Sequence, residues 1–188
     1  MPTASANRVR IIGGDWRGRV IRFPPLPGLR PTPDRVRETL FNWLGQVLYG
    51  RRCLELYAGT GALSLEALSR GAGLAVAVDR SRPLVDALRA TGETLKAPAL
   101  ETHCAPALAF VAAERRLFDV IFLDPPFDDD PWATLLPLCA ARLSPGGFVY
   151  AEAPRPVVPP APLAPWRSDK AGKVHYHLFV KPAPEPPG

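Results

Sequence analysis

Lysine is scarce: only four of the 23 basic side chains are Lys, and none precedes Lys96. Cysteine is equally sparse, with Cys53, Cys104 and Cys139 far apart and odd in number. That excludes a disulfide framework and a clustered thiolate metal site, and it points to reduced thiols in a cytoplasmic protein. No hydrophobic run approaches the length of a membrane span, and the N-terminus carries no apolar signal segment. No internal repeat is present. What remains is a chain of 188 residues that is 47% hydrophobic, enough to bury one substantial core.

The charge is unevenly placed. Ten arginines lie in the first 52 residues against Asp15, Asp34 and Glu38, giving +7 there and leaving −2 for the rest of a chain whose net charge is +5. An arginine-rich segment without lysine suits bidentate phosphate recognition and base stacking, hence a nucleic-acid partner. A solvated arginine-rich face accounts for the same count. Arg8 to Ile12 and Arg19 to Phe23 read as short strands joined by a glycine turn, a hairpin. After the PPLPGLRPTP turn, Thr32 is expected to cap a helix with Pro33 at its first position. Val36, Leu40, Trp43, Leu44 and Val47 form its apolar face, and it should end near Gly50.

From Arg52 the pattern alternates strand and helix. Strands are expected over 53–57, 74–79, 100–104, 118–123 and 147–152, with helices over 62–70, 83–91, 107–114 and 132–143. This is the signature of an α/β fold with a mostly parallel sheet covered on both faces. A proline-rich connector leads to a last strand over 173–180, which can pair with residues around Trp166 as an antiparallel edge. The final PAPEPPG, residues 182–188, is expected to be disordered.

The first alternating strand runs into Glu55-Leu-Tyr57-Ala58-Gly59-Thr60-Gly61 and then a helix, the place where a doubly wound sheet binds a nucleotide-like ligand. The dinucleotide fingerprint needs a third glycine three residues after the second, and Ser64 stands there instead. Glu55 puts a carboxylate beside the loop, which repels a pyrophosphate and favours a cation. S-adenosylmethionine offers a sulfonium and an amine and no phosphate. Asp79, 18 residues after Gly61, ends the next strand where a carboxylate can accept ribose hydroxyls.

The stretch Phe122-Leu123-Asp124-Pro125-Pro126-Phe127 places a second carboxylate at the same sheet edge. Proline removes N–H donors and fixes φ, so the Asp124 carboxylate and the Pro125 carbonyl become rigid acceptors. Two acceptors suit an exocyclic amine, whose lone pair they turn toward a methyl donor. Phe127 offers an extruded base a stacking face. Asp128, Asp129 and Asp130 read as a solvated loop and helix start, and no metal site is expected. His103 reads as a strand-end side chain, and His175 and His177 as exposed residues of one strand face.

These motifs resemble those of the class I S-adenosylmethionine-dependent amino methyltransferases. Together with RIIGGDWRGRVI, GLRPTPDRVRETLFNWL and CLELYAGTGALSLEALSRGA, they resemble the RsmD family of 16S ribosomal RNA guanine-N2 methyltransferases over residues 8–153. The resemblance implies a Rossmann-like, mostly parallel seven-stranded sheet with helices on both faces, in a methyltransferase domain over 51–181. Residues 1–50 would be an RNA-binding hairpin and helix extension. Cofactor contacts would come from Glu55, Tyr57, Ala58, Gly59, Thr60, Gly61, Asp79, Arg80 and Ala105, and the guanine would bind at Asp124, Pro125, Pro126 and Phe127. RNA contacts would come from Arg10, Trp16, Arg17, Arg19, Arg30, Arg35 and Arg37. Pro106 stands where such enzymes commonly carry Asp or Asn for the adenine amine, leaving that contact to backbone near Ala105. The partner would be 16S rRNA in a small-subunit particle, met by a cytoplasmic monomer. An adenine-N6 methyltransferase on DNA or RNA, and a non-catalytic RNA-binding assembly factor, are the alternatives.

Overall fold

The structure, a computed structural model, describes residues 7–188. Strands β1 (Arg8–Arg10) and β2 (Val20–Arg22) form an antiparallel hairpin, followed by helix α1 (Asp34–Trp43). Next come β3 (Arg52–Leu56), α2 (Ala62–Ser69), β4 (Leu74–Asp79), α3 (Arg82–Thr94), β5 (Leu100–Cys104) and α4 (Ala107–Ala113). The chain finishes with β6 (Phe118–Leu123), α5 (Trp132–Ala141), β7 (Leu143–Ala153), β8 (Ala164–Ala171) and β9 (Val174–Val180).

The main sheet has seven strands in the order β5-β4-β3-β6-β7-β9-β8. The first five in this order are parallel, and β9 and β8 add antiparallel strands on one side. Leu54, Leu56, Val76, Val78, Ile121 and Leu123 meet α4 and α5 on one face. Cys53, Val120, Phe122, Tyr150 and Tyr176 meet α1 and α2 on the other. Because the chain leaves β3 in one direction to reach β4 and crosses back to lay β6 on its other side, a crevice opens at the carboxyl ends of β3 and β6. Burial pushes the Cys53 and Cys139 thiols up to about 12, so both are inert core side chains. No helix among the described residues is long and apolar enough to cross a membrane.

The N-terminal segment shares its core with the sheet. Val9, Ile11, Ile21 and Phe23 pack with Leu65 of α2 and Leu84 and Leu88 of α3. Three local expectations are corrected. Pro33, not Thr32, occupies the cap position of α1, and the Thr32 hydroxyl instead donates to Glu152 Oε1 at 3.1 Å. The helix stops at Trp43 because Gly45 (φ +95°) and Gln46 (φ +64°) turn left-handed, which leaves Val47 68% exposed instead of on an apolar face. His177 is buried, accepts the Val157 N–H at 3.2 Å and stacks on Phe179, so only His175 of that pair keeps much surface.

Candidate active site

The glycine loop is built by left-handed backbone. Tyr57 (φ +57°), Gly59 (φ +56°) and Gly61 (φ +73°) reverse the chain between β3 and α2, and the conformation of Tyr57 is unusual for an aromatic side chain. A Cβ on Gly61 would lie 2.5 Å from the Leu88 side chain, so only glycine lets α2 start where α3 already packs. Ala58 and Thr60 are buried and shape the loop from within: Ala58 N–H donates to Val78 O, and Thr60 Oγ1 accepts the Ala62 N–H.

Asp79 ties this loop to the end of β4. Its Oδ2 accepts the Gly59 N–H at 2.8 Å and its Oδ1 accepts the Ser81 N–H at 2.9 Å. Each oxygen keeps a lone pair free for one hydroxyl of a diol. Beside it lies a cavity of about 350 Å³, lined by Tyr57, Val78, Asp79, Arg80 and Ala105 among others. Its apolar wall, from Val78, Leu84, Ala105 and Ala107, suits a flat ring, while Ala105 itself is held by its N–H donating to Asp79 O at 3.0 Å. Pro106 is exposed and caps α4, outside that wall.

Leu26, Pro27, Gly28 and Leu29 form the other wall. Sequence reasoning assigned this segment only a turn; its one signal is an apolar Leu-Pro-Gly-Leu between two proline pairs. Leu29 would touch a Cβ on Gly59 at 3.2 Å, so the N-terminal extension closes directly over the glycine loop. A larger open depression of about 810 Å³ runs along α3 and edge strand β5, past Arg89, Lys96 and Glu101, and contains none of these loop residues.

Glu55 does not line the cavity. Its Oε2 accepts both the backbone N–H (2.9 Å) and the hydroxyl (2.5 Å) of Ser64, so it fastens the first turn of α2. Burial pushes its carboxyl up to about 7, against the lowering effect of the Ser64 bonds. Because the folded protein holds this proton more tightly than the unfolded chain, Glu55 stabilises least at high pH, and stability falls as pH rises from the ordinary glutamate range through about 7. Glu55→Gln should therefore flatten that fall by on the order of 3 kcal/mol. Melting temperature against pH for both proteins is the check, and parallel curves would reject it.

Asp124 follows β6 directly, and Pro125 is buried behind it while Pro126 and the 47%-exposed Phe127 face outward. Pro126 and Asp129 also line the cavity, so this turn and the Asp79 end share one crevice. Only a partial edge of Asp124 reaches solvent. Burial, then the charges of Glu152 and Glu55 and a hydrogen bond with Glu152, push its carboxyl well above the usual range. Glu152 was missed from the sequence, although it ends a strand at the same sheet edge as Glu55, Asp79 and Asp124.

Comparison with known proteins identifies the family. Residues 9–180 match the family described as conserved hypothetical protein 95. The chain is 37% identical over 195 aligned positions, 96% of this chain and 93% of the relative, to ribosomal RNA small subunit methyltransferase D of Escherichia coli. It belongs to the RsmD family. A solved Escherichia coli structure, described as that of a candidate methyltransferase, superposes with a TM-score of 0.85 at 39% identity, covering 94% of this chain and 99% of the other. An RNA methyltransferase from Salinibacter ruber, solved with S-adenosyl-L-homocysteine, shares the fold at a TM-score of 0.65 and 18% identity, covering 84% of this chain and 97% of the other.

In this RsmD-family chain the arginines divide. Arg10, Arg17, Arg19, Arg30 and Arg35 are exposed and Trp16 is half-buried. Arg37 is not available to RNA: it is fully buried. Its guanidinium donates to Thr32 O (3.1 Å), Arg10 O (2.9 Å), Glu66 Oε2 (3.3 Å) and Asp34 Oδ1 (2.5 Å). Glu66, also buried, accepts the Ile12 and Gly13 N–H groups and Arg70 Nε, while Ser69 Oγ accepts the Trp16 N–H and donates to Gly13 O. A helical position one turn from an apolar one gave no sign that this guanidinium would turn inward. The hairpin loop is thus clamped to the far end of α2, roughly 12 Å from the glycine loop at that helix's start.

Proposed function

We propose that this protein transfers the methyl group of S-adenosylmethionine to the exocyclic N2 of a guanine in 16S ribosomal RNA. The observation that carries the reading is the Asp124-Pro125-Pro126-Phe127 turn at the mouth of the cavity held by Asp79. Pro126 and Asp129 of that turn line the cavity, and the Asp124 carboxyl, the Pro125 carbonyl and the exposed Phe127 ring stand next to them in the chain. The RsmD family membership and the name of its Escherichia coli relative support rRNA as the substrate class.

S-adenosylmethionine supplies an electrophilic methyl group. Asp79 would accept its ribose hydroxyls and the Val78, Leu84 and Ala105 wall would take its adenine, with Leu26 to Leu29 excluding water from above. Asp124 and the Pro125 carbonyl would accept hydrogen bonds from the guanine amine, turning its lone pair toward the methyl group. Phe127 would stack on the base, a contact worth roughly 1–3 kcal/mol.

Residues 1–50 act as the RNA-binding extension of a methyltransferase domain over 51–181, in a cytoplasmic monomer working on a small-subunit particle. Arg30 follows the Leu29 wall of the cavity, whereas Trp16, Arg17 and Arg19 sit beyond the other end of α2, so the bound RNA spans that helix. Arg17→Ala/Arg19→Ala should weaken RNA binding and reduce its log-log salt slope by about 0.7–0.9 per lost phosphate contact. An unchanged slope in a filter-binding titration would move the RNA surface elsewhere.

The decisive test is methyl transfer from labelled S-adenosylmethionine to small ribosomal subunits from cells lacking this protein, followed by nucleoside analysis. Label in N2-methylguanosine is expected. Label in N6-methyladenosine would replace the target base, and no label despite bound cofactor would leave an RNA-binding assembly factor.

A further inference from the structure

Beneath the Asp-Pro-Pro turn lies a carboxyl group for which the reading above has no use. Glu152 is buried near the end of β7, on the strand next to β6; Leu123 pairs with Ala151 there, so Asp124 and Glu152 are consecutive neighbours across the ladder. In a parallel pair such neighbours project to the same face, here the face that α1 and α2 cover.

The two oxygens of Glu152 differ in their surroundings. Oε1 accepts the Tyr150 hydroxyl at 2.7 Å and the Thr32 hydroxyl at 3.1 Å. Burial raises the Glu152 carboxyl, and two donors on one oxygen oppose that by favouring its charged form. The remaining neighbour is Asp124, set beside Glu152 on the same face by the strand register. Two carboxyl groups can bond to one another only if one of them carries a proton, and two ionised carboxylates buried together repel strongly. Charged or titratable groups reach this pair from every side: Glu55 from β3, Tyr150 on β7 and, through Tyr150, Tyr176 on β9. Thr32, before α1, adds only a hydroxyl, and among the described residues no cation forms an ion pair with either carboxyl.

We propose that Asp124 and Glu152 act as one pair sharing a single proton, with Glu152 the positioning residue that holds this proton on Asp124 and receives it during methyl transfer. The inference rests on the amine methylation proposed above. Methylation forms one N–C bond, breaks one C–S bond with its electrons left on sulfur, and obliges the amine to shed one proton. That proton moves to the free oxygen of Asp124 as the proton already on Asp124 moves to Glu152. The pair passes from one proton and one negative charge to two protons and none, while the positive sulfonium becomes a neutral thioether. Charge is balanced inside the crevice, and no proton need reach solvent before the product leaves. The Thr32 contact makes the N-terminal extension part of this arrangement.

The experiment compares the intact protein with Glu152→Leu and Glu152→Gln. Single-turnover methyl transfer to small ribosomal subunits is followed across the neutral pH range, and infrared spectra of each protein are recorded in light and heavy water. In the Leu variant Asp124 loses its charged partner and is left neutral by burial, so the rate should fall about 10²-fold at neutral pH and recover as rising pH ionises Asp124. The Gln variant keeps one negative charge, now on Asp124, and should stay within roughly tenfold of the parent. Recorded well above pH 7, where Glu55 has ionised, the parent spectrum should contain a neutral carboxylic-acid band that shifts in heavy water, and the Gln variant should lack it. A Leu variant with the parent rate, a loss equal at every pH, or a parent spectrum without that band each overturns the proposal. If the Leu variant does not fold, the band and its loss in Glu152→Gln decide. An inactive parent would defeat the methyltransferase reading alone, because the band reports the shared proton without turnover.

Discussion

Asp124→Ala is expected to lower the rate of methyl transfer by about 10³-fold or more while cofactor affinity stays within about twofold of the parent. The asymmetry follows from placement. Asp124 stands beside the cavity, on the turn after β6, and the residues that line the cavity include Pro126 and Asp129 of that turn but not Asp124. Asp124 precedes the cavity-lining Pro126 by two residues and is not among the groups that hold Asp79, so its loss removes the proposed acceptor for the amine and leaves Asp79 and the apolar wall untouched. Stability should fall only modestly, because a buried carboxyl is removed while Glu152 loses the neighbour that shares its proton. Single-turnover kinetics, calorimetric cofactor binding and thermal melting on one preparation separate these outcomes. Retention of most of the activity would show that the Asp-Pro-Pro turn is not where the amine binds.

Arg37→Ala should destabilise the protein by about 3–5 kcal/mol, lowering its melting temperature by roughly 10 °C. Arg37 and Glu66 are both fully buried, and the pair holds three segments at once: the hairpin loop through Ile12 and Gly13, the entry to α1 through Thr32, and α2 itself. Removing one partner leaves the other charge buried and less compensated, which costs far more than the pair contributes over an apolar replacement. RNA binding should weaken as well, but through displacement of Trp16 and Arg17 and not through a lost phosphate contact. Glu66→Gln added to Arg37→Ala should recover part of the loss, since the uncompensated charge is then gone. An Arg37→Ala protein within about 1 kcal/mol of the parent in denaturant melts would contradict this account.

The corrected elements show where one-dimensional reasoning stopped. Strand-helix alternation and β-branched, apolar strands were legible, because a parallel sheet buried on both faces writes its pattern continuously into the chain. The glycine loop and the Asp-Pro-Pro turn were legible for a related reason: their chemistry depends on residues adjacent in sequence, so spacing alone carries the signal. Thr32 read as a helix cap because Ser and Thr before an apolar period commonly cap, yet its hydroxyl found Glu152, 120 positions away. Arg37 read as a surface cation in a basic segment, and a buried carboxylate from α2 turned it inward. Val47 matched the helical period and fell outside the helix once Gly45 ended it.

By itself the sequence determined the α/β class, the alternating strands, the glycine-loop position and the carboxylates that end strands at one sheet edge, since each is a local property of consecutive residues. Tertiary structure alone decided which side of that edge each carboxylate faces. It set Asp79 on the cavity, turned Glu55 to Ser64, laid Asp124 beside Glu152, and brought Leu26 to Leu29 over the loop. Those outcomes depend on which strands become neighbours and on how much water each group loses, and both are settled only when distant segments pack together.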